Sequence, residues 1–182
     1  MTYSIDDIAQ RAYADINNYP SRYYVKTEAE ALTKLSNAYS VYKQKSDIYS
    51  PIYDEYHEYT DIIRNTHVPY DSARAEQVTA AFKGRKNLQP YLDEALENMQ
   101  NAEVYLYAWG LVLDKIRGLE DNALNSSATT NLNRYYEEAQ NFKAQNVNTS
   151  VTKSVSASQT GNKKMLFLAI AAGLLLLVYG EN

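Results

Sequence analysis

A run of fifteen residues, 165–179, contains no charged side chain, although the rest of the 182-residue chain is distinctly polar. A helix of that length rises about 22 Å, which is less than the roughly 30 Å hydrocarbon core of a bilayer. Starting the helix at Lys163 and ending it at Asn182 extends it to about 30 Å. Lys163 and Lys164 can then reach one interface, and Tyr179 suits the other.

We therefore predict that residues 163–182 form a single membrane-spanning helix, with a lipid bilayer as its partner. Nothing polar opposes insertion in the middle of the run, where Gly173 is the weakest position. The residues predicted to anchor the chain are Lys163, Lys164, Leu166, Phe167, Leu168, Ile170, Gly173, Leu174, Leu175, Leu176, Leu177, Val178 and Tyr179.

The position of the run predicts a tail-anchored topology, because only three residues follow it. The lysine pair precedes the run and Glu181 follows it, so the positive-inside tendency places residues 1–164 on the cytoplasmic side. Apolar runs this short are also found buried within proteins. The alternative that stays open is a hydrophobic tail that fills a protein groove or plugs a protein channel.

The N-terminal part of the chain repeats apolar residues every three or four positions, which is the period of a helix. A first helix is predicted from Ser4 to Tyr19, since the residue before Pro20 leaves the helical region. Thr27 and Glu30 form a capping box that opens a second helix. Its stripe keeps phase across Pro51, which favours a kink over a reversal. That stripe comprises Leu32, Leu35, Tyr39, Tyr42, Ser46, Tyr49, Tyr53, Tyr56, Thr60 and Ile63.

Further helices are predicted after the break at residues 66–69. A short helix runs from about Ser72 to Phe82 and is closed by the basic residues 83–86, and Pro90 is the first position of the next helix. That helix ends near Gly118 and carries the stripe Leu92, Ala95, Met99, Ala102, Leu106, Trp109, Leu113 and Ile116. A last helix carries Leu132, Tyr135, Ala139 and Phe142.

The predicted fold class is therefore all-α: an elongated helical bundle over residues 1–145, followed by a polar tether and a C-terminal transmembrane helix. Residues 146–162 are mainly Ser, Thr, Asn and Val and keep no helical period. They are predicted to be a flexible tether of about 23 Å as a coil. The alternation of Val147, Thr149 and Val151 leaves open an extended segment that orders against a partner.

Composition argues against most kinds of catalysis. The chain has no cysteine and two histidines, and its formal charge of −4 argues against broad nucleic-acid binding. Asp54 and His57 share a helical face near Glu55, Glu58 and Asp61, but a di-metal site needs two such pairs. We therefore predict no enzyme, no metal site and no cofactor. The basic residues 83–86 are interpreted as an ordinary helix end, with lipid headgroups or a nucleic-acid backbone as the alternatives.

The tyrosines are the most informative feature of the polar part, since the chain has 18 of them against 3 Phe and 1 Trp. A buried hydroxyl costs roughly 1–3 kcal/mol when unpaired. A tyrosine stripe therefore suits a partly solvated boundary, where the rings are buried and the hydroxyls reach water. Tyrosine is also enriched at protein interfaces. The partner-binding candidates are Tyr39, Tyr42, Tyr49, Tyr53 and Tyr56, and capping of the chain's own core stays open beside partner binding.

The combined pattern predicts a non-enzymatic structural or scaffold protein that links a membrane to a protein assembly, as a homo- or hetero-oligomer. A virion with an internal membrane is one setting, in which such a protein joins the bilayer to the capsid; this rests on analogy of architecture. The alternative from another class is a membrane-active effector for lysis or genome delivery. Its C-terminal helix would oligomerise in the bilayer through the small face at Ala169 and Gly173.

Overall fold

The computed structural model describes residues 4–65 and 72–157, with side chains at 4–65 and 73–146. The helices in these ranges are α1 (Ile5–Asn18), a 3₁₀ turn (Pro20–Tyr23), α2 (Glu28–Asn65), α3 (Ser72–Arg117), α4 (Glu120–Asn125) and α5 (Ala128–Ala157). The described ranges contain no strand, which confirms the all-α prediction. The chain divides into two units, Met1–Phe142 and Lys143–Asn182, and the bundle described below is the first.

Local capping explains where the first two helices begin. α1 starts directly after Ser4, whose carbonyl accepts from the Ile8 N–H at 3.2 Å, although its side chain makes no capping bond. The Thr27 hydroxyl accepts from the Glu30 N–H at 3.2 Å, as the predicted capping box requires. The Glu30 carboxylate in turn accepts from the Lys26 N–H at 2.9 Å. Both predicted helix starts are therefore confirmed.

α2 is one continuous helix of 38 residues with Pro51 inside it. Proline removes one backbone donor and crowds the preceding turn, so an interior proline bends a helix rather than reversing it when packing holds both halves. The prediction that the chain keeps its direction across Pro51 is confirmed.

α3 differs from the prediction, because it runs unbroken for 46 residues through Gly84 and Pro90. The expected end at Phe82 and the expected new start at Pro90 are both wrong. The physical reason lies in packing against α2. A Cβ built on Gly84 would lie 2.6 Å from Cζ of Tyr59, so this glycine gives room for an α2 ring instead of ending a helix.

The predicted end of α3 near Gly118 is confirmed. Gly118 adopts φ +68°, in the left-handed region that favours glycine. The Leu119 N–H donates to the Asp114 carbonyl at 2.8 Å, and the Gly118 N–H donates to the Lys115 carbonyl at 3.2 Å. These two bonds form a Schellman motif, which satisfies carbonyls that the helix end would otherwise leave unpaired.

α5 continues to Ala157, so residues 146–157 are helical where a flexible coil was predicted. Asn, Ser, Thr and Val each cost only a few tenths of a kcal/mol in a helix, and no Gly or Pro occurs between the start of α5 at Ala128 and Gly161. A helix that is already formed therefore propagates into such a segment. None of the helices in the described ranges has an apolar stretch long enough to cross a bilayer. The anchor predicted at 163–182 lies outside those ranges.

α2 and α3 form an antiparallel hairpin. Arg117 at the end of α3 donates from Nε to Glu28 at the start of α2 at 2.8 Å. At the other end of the pair, Tyr59 packs against Gly84. The distal part of this pair, residues 43–65 and 73–100, is called the hairpin arm below.

The main core lies at the opposite end of the hairpin from the arm's tip, where α1, α4 and α5 join the pair. The predicted stripe of α3 is buried from Leu92 to Leu113, and only its last member, Ile116, is exposed (37%). Tyr23 and Trp109 pack with ring centroids 5.1 Å apart. The core consists of Ile8, Ala9, Ala12, Tyr23, Ala31, Leu35, Ala38, Val104, Leu106, Tyr107, Ala108, Trp109, Leu111, Val112, Leu113, Ala123, Leu132, Tyr135 and Ala139.

Two glycines of α3 give a matched test of this packing. A Cβ on Gly110 would collide with the ring of Tyr135, which is fully buried and held by a hydrogen bond. We expect Gly110→Ala to lower the free energy of unfolding by about 1–3 kcal/mol through overpacking. Gly84→Ala also meets a ring, but Tyr59 is only half-buried and can turn away, so its cost is near zero.

The measurement is urea unfolding of the full chain in mild detergent, followed by the fluorescence of Trp109, which is the single tryptophan and 1% exposed. Both substitutions bring the same gain in helix propensity, about 1 kcal/mol, so their difference isolates the ring contact. Equal stabilities of the two variants would contradict the assigned packing of Tyr135.

Candidate interaction site

Two of the five candidate tyrosines face the chain's own bundle. Tyr39 and Tyr42 lie against Tyr136 of α5, with ring centroids 5.7 and 5.1 Å away. Gln140 Nε2 donates to the Tyr39 hydroxyl at 2.8 Å. Both rings remain half-buried. Their packing therefore fits the core-capping alternative, and a partner role for them stays a prediction.

The other three candidates, Tyr49, Tyr53 and Tyr56, lie on the hairpin arm, outside the main core. Together with His57 they form what we call the ring row. The Tyr49 and Tyr53 centroids are 5.4 Å apart, and Tyr53 lies 4.2 Å from the His57 ring. The Tyr53 side chain is 40% exposed, and His57 is exposed as well. Burial raises the pKa of Tyr49 above its usual value of 10.0. The row thus offers closely spaced, mutually tilted rings on one partly accessible helix face.

A second surface on the arm combines cations with aromatic rings. An open depression is lined by Tyr56, Phe82, Lys83, Arg85, Lys86 and Gln89, which we call the basic–aromatic patch. Phe82, Arg85, Lys86 and Gln89 follow the i, i+3, i+4, i+7 spacing of one helix face. The Arg85 guanidinium carbon lies 5.4 Å from the centre of the Phe82 ring.

The acidic face of α2 forms a separate open depression, lined by Asp54, His57, Glu58, Asp61, Ile62 and Asn65. No group of three or more His, Asp and Glu side chains within the described ranges has the geometry to hold a metal ion. His57 instead contacts the rings of Tyr53 and Tyr56.

A smaller apolar cleft of about 220 Å³ lies between α1, α3 and α4. Its walls include Tyr13, Ile16, Leu111 and Leu124, of which Leu124 is 69% exposed. Asp114, Lys115 and Glu120 also line this cleft.

Sequence patterns did not reveal that an Arg-Tyr dipeptide binds one aspartate at two places in the bundle. In α5, Arg134 Nη1 and Nη2 donate to the two Asp114 oxygens at 2.6 and 2.7 Å, and the Tyr135 hydroxyl donates to Asp114 Oδ2 at 2.6 Å. Near the N-terminus, Arg22 Nη1 donates to Asp15 Oδ1 at 3.2 Å, and the Tyr23 hydroxyl donates to Asp15 Oδ2.

A third tyrosine, Tyr136, is partly buried and donates to Glu103 Oε1 at 2.5 Å. Burial is the main cause that raises the pKa of Tyr23, Tyr135 and Tyr136 well above 10.0, and the facing carboxylates raise it further. These groups hold the bundle together and are too enclosed to serve as an interface. The only local signal for them was the spacing of Tyr135 within the last predicted helix.

Asn131 extends this network to α4, because its Nδ2 donates to the Ala123 carbonyl at 2.7 Å. Its Oδ1 accepts from Arg134 Nη2 at 3.4 Å. Asn131 is 2% exposed. These polar residues of α5 therefore serve to position the helix.

The chain was compared with protein-family models, with curated protein sequences and with solved structures, and none of them matches it significantly.

Proposed function

We propose that the chain is a non-enzymatic structural protein that anchors in a lipid bilayer and contacts another protein of an assembly through the ring row. The observation that carries the proposal is that the tyrosines of the α2 stripe differ in how far the chain's own bundle covers them. Tyr39 and Tyr42 pack against α5, whereas Tyr53, about three helical turns or more further along α2, is 40% exposed.

The bilayer part of the proposal rests on the physics of residues 163–182. Nine strongly apolar side chains contribute roughly −0.3 to −0.6 kcal/mol each to insertion, and no charge lies between Met165 and Tyr179. Lys163 and Lys164 supply the interfacial flank. The lysine pair also favours an orientation that keeps the helical bundle on the cytoplasmic side.

The protein-partner part rests on the chemistry of the ring row. Tyr and His rings present large apolar area with few rotatable bonds, so burying them in an interface orders little side-chain freedom. Aromatic residues supply many of the hot spots of protein interfaces. A row with centroid spacings of 4.2 and 5.4 Å offers a preformed contact surface for one partner helix or strand. A virion that joins an internal membrane to a capsid is one setting for this function.

Anchoring is tested by reconstituting the full chain with neutral phosphatidylcholine vesicles and floating them through a density gradient. We expect the chain to float and to resist extraction at alkaline pH. Replacing both Leu174 and Leu175 with Arg should abolish flotation, because each arginine costs about 2.5–3.5 kcal/mol at the centre of a span. The matched control replaces the same two residues with Ala.

Entrapped dye in the same vesicles separates the structural protein from a membrane-active effector. Stable insertion without leakage supports the proposal, whereas leakage that grows with protein density supports the effector. Failure of the native chain to float would contradict anchoring and favour burial of the apolar run in a protein.

The ring row is tested with a photo-crosslinking amino acid at position 53 of the full chain, in the native membranes of the cells that produce it, where its partner is present. We expect one discrete protein adduct from that position. The control position is Tyr24, which is 71% exposed but stands outside the row. The same adducts from both positions would contradict a specific contact at the row.

A further inference from the structure

The cations of the basic–aromatic patch are not paired with carboxylates of the described residues. Lys83, Arg85 and Lys86 occupy adjacent positions of α3, and within the described ranges no carboxylate lies within 4.0 Å of their cationic groups. By contrast, Arg117 and Arg134 at the other end of the bundle are both paired with carboxylates. The three cations are therefore available to an anionic partner.

The sequence analysis interpreted residues 83–86 as the end of a helix. The structure contradicts this interpretation, because these residues lie inside α3. Cations stabilise a helix through its macrodipole only within the last turn. Lys83, Arg85 and Lys86 lie more than 30 residues before the end of α3 at Arg117. The charge cluster thus gains no stabilisation from the macrodipole of the helix that carries it.

An exposed ring accompanies the cations. Phe82 is 48% exposed, although it belongs to a residue type that is usually buried. Its neighbour Arg85 lies over the ring at 5.4 Å, and Tyr56 of α2 borders the same depression. An apolar ring flanked by cations and a tyrosine matches the boundary of a bilayer, where rings meet the acyl chains and cations meet phosphates.

We propose that the basic–aromatic patch binds the surface of an anionic lipid bilayer. Phe82 enters the boundary between headgroups and acyl chains, and Lys83, Arg85 and Lys86 contact lipid phosphates. This deepens the function proposed above and rests on it, since an anchored chain meets the bilayer at a high effective concentration. The orientation favoured by Lys163 and Lys164 keeps the bundle on the cytoplasmic side, where the facing leaflet carries the anionic lipids.

A nucleic acid is a poorer match for this surface. Binding to a phosphate backbone is dominated by long-range electrostatics, and the chain as a whole carries a charge of −4. A bilayer tolerates that overall charge because only the patch and its ring meet the headgroups. The half-exposed phenylalanine also has a place in a bilayer boundary.

The experiment uses the full chain with a single reporter cysteine, Gln89→Cys, since the native chain has no cysteine. Position 89 lines the patch but leaves its ring and cations in place. An environment-sensitive dye on this cysteine reports the polarity around position 89. Its emission is compared between the chain reconstituted in neutral phosphatidylcholine vesicles and the chain in vesicles with 30% phosphatidylserine. We expect blue-shifted, stronger emission in the anionic vesicles, and quenching there by lipid-attached nitroxide.

Replacing Lys83, Arg85 and Lys86 with Gln should shift the equilibrium of the patch away from the bilayer about fivefold per cation, on the order of a hundredfold in all. Phe82→Ser tests the ring at unchanged charge and should also weaken the response. The matched control replaces Lys26, Lys34 and Lys45 with Gln, which removes the same charge from elsewhere on the chain and should leave the response intact.

Flotation of the same vesicles keeps the two proposals apart. A native chain that floats but shows equal emission in neutral and anionic vesicles overturns the lipid-binding patch and leaves anchoring standing. A dye response to added RNA or to an acidic peptide, with none to phosphatidylserine, also overturns it. Loss of flotation contradicts anchoring itself.

Discussion

Arg134→Met is expected to lower the free energy of unfolding by about 3–5 kcal/mol, because it leaves a buried carboxylate without its cation. Asp114 is 0% exposed, and Arg134 binds both of its oxygens. Methionine keeps most of the aliphatic stem, so the loss reports the charge pair rather than a cavity. After the substitution, only the Tyr135 hydroxyl would remain as a side-chain donor to Asp114 among the bonds described above.

Replacing the carboxylate of the pair instead of the cation is expected to lower the free energy of unfolding by less. Asp114→Asn keeps an acceptor for the Tyr135 hydroxyl and leaves behind a guanidinium whose side chain is 32% exposed and can be hydrated. We expect a loss of about 1–3 kcal/mol, in the range of one unsatisfied buried bond. The two single variants and their double variant form a cycle that measures the coupling between the charges.

The chain contains its own matched control for this prediction. Arg22 and Tyr23 bind Asp15 in the same Arg-Tyr arrangement, but the Arg22 side chain is 51% exposed and that of Asp15 is 22% exposed. Arg22→Met should therefore cost less than about 1 kcal/mol, as exposed ion pairs do. Urea unfolding followed by Trp109 fluorescence measures both variants, and equal losses at Arg22 and Arg134 would contradict burial as the cause.

The periodic stripes allowed much of the fold to be predicted from the sequence. The stripe from Leu92 to Leu113 is buried as expected, since a strict three-and-four spacing admits one helical face only. The start at Thr27 and the end at Gly118 were also predicted, because capping chemistry is local. These features depend on residues a few positions apart.

The errors arose where the deciding contact is distant in sequence. Gly84 and Pro90 are ordinary helix breakers by local rules, yet Gly84 accommodates the Tyr59 ring of another helix. The continuation of α5 past Asn146 followed from the lack of any stop signal before Gly161, which a composition argument overlooked. Packing and propagation therefore outweighed weak local preferences.

The tyrosine stripe did not separate its members. Tyr53 is 40% exposed, but nothing local distinguished it from Tyr39, whose ring packs against Tyr136 almost a hundred residues away. A partner role for these tyrosines stays a prediction. The charge cluster at Lys83–Lys86 was visible, but its availability depends on α3 continuing through it. The pairing of Tyr135 with Asp114 required the tertiary structure.

Alkaline pH is expected to unfold the bundle through its buried tyrosines. Tyr23, Tyr135 and Tyr136 each donate their hydroxyl to a carboxylate, so ionisation in the folded state would place two anions in contact. Burial and these carboxylates raise the pKa of all three groups well above 10.0, so the folded chain keeps protons that the unfolded chain loses.

The sign of the effect follows from this direction. A group whose pKa is raised on folding contributes its stability fully below the unfolded value, here 10.0, and loses it as pH rises further. Each group removes about 1.4 kcal/mol per pH unit above that point, so the three together remove about 4 kcal/mol per unit. Stability should therefore fall steeply from pH 10 to pH 12.

Difference measurements isolate the tyrosines from the other alkaline groups. Tyr136→Phe should reduce the slope of unfolding free energy against pH by about 1.4 kcal/mol per unit. The control is Tyr24→Phe, at a side chain 71% exposed, which should leave the slope as in the native chain. Absorbance at 295 nm should show that at least three of the 18 tyrosines ionise only as the Trp109 signal reports unfolding. Full ionisation of all 18 before that transition would contradict the enclosed hydroxyl–carboxylate pairs on which the bundle is built.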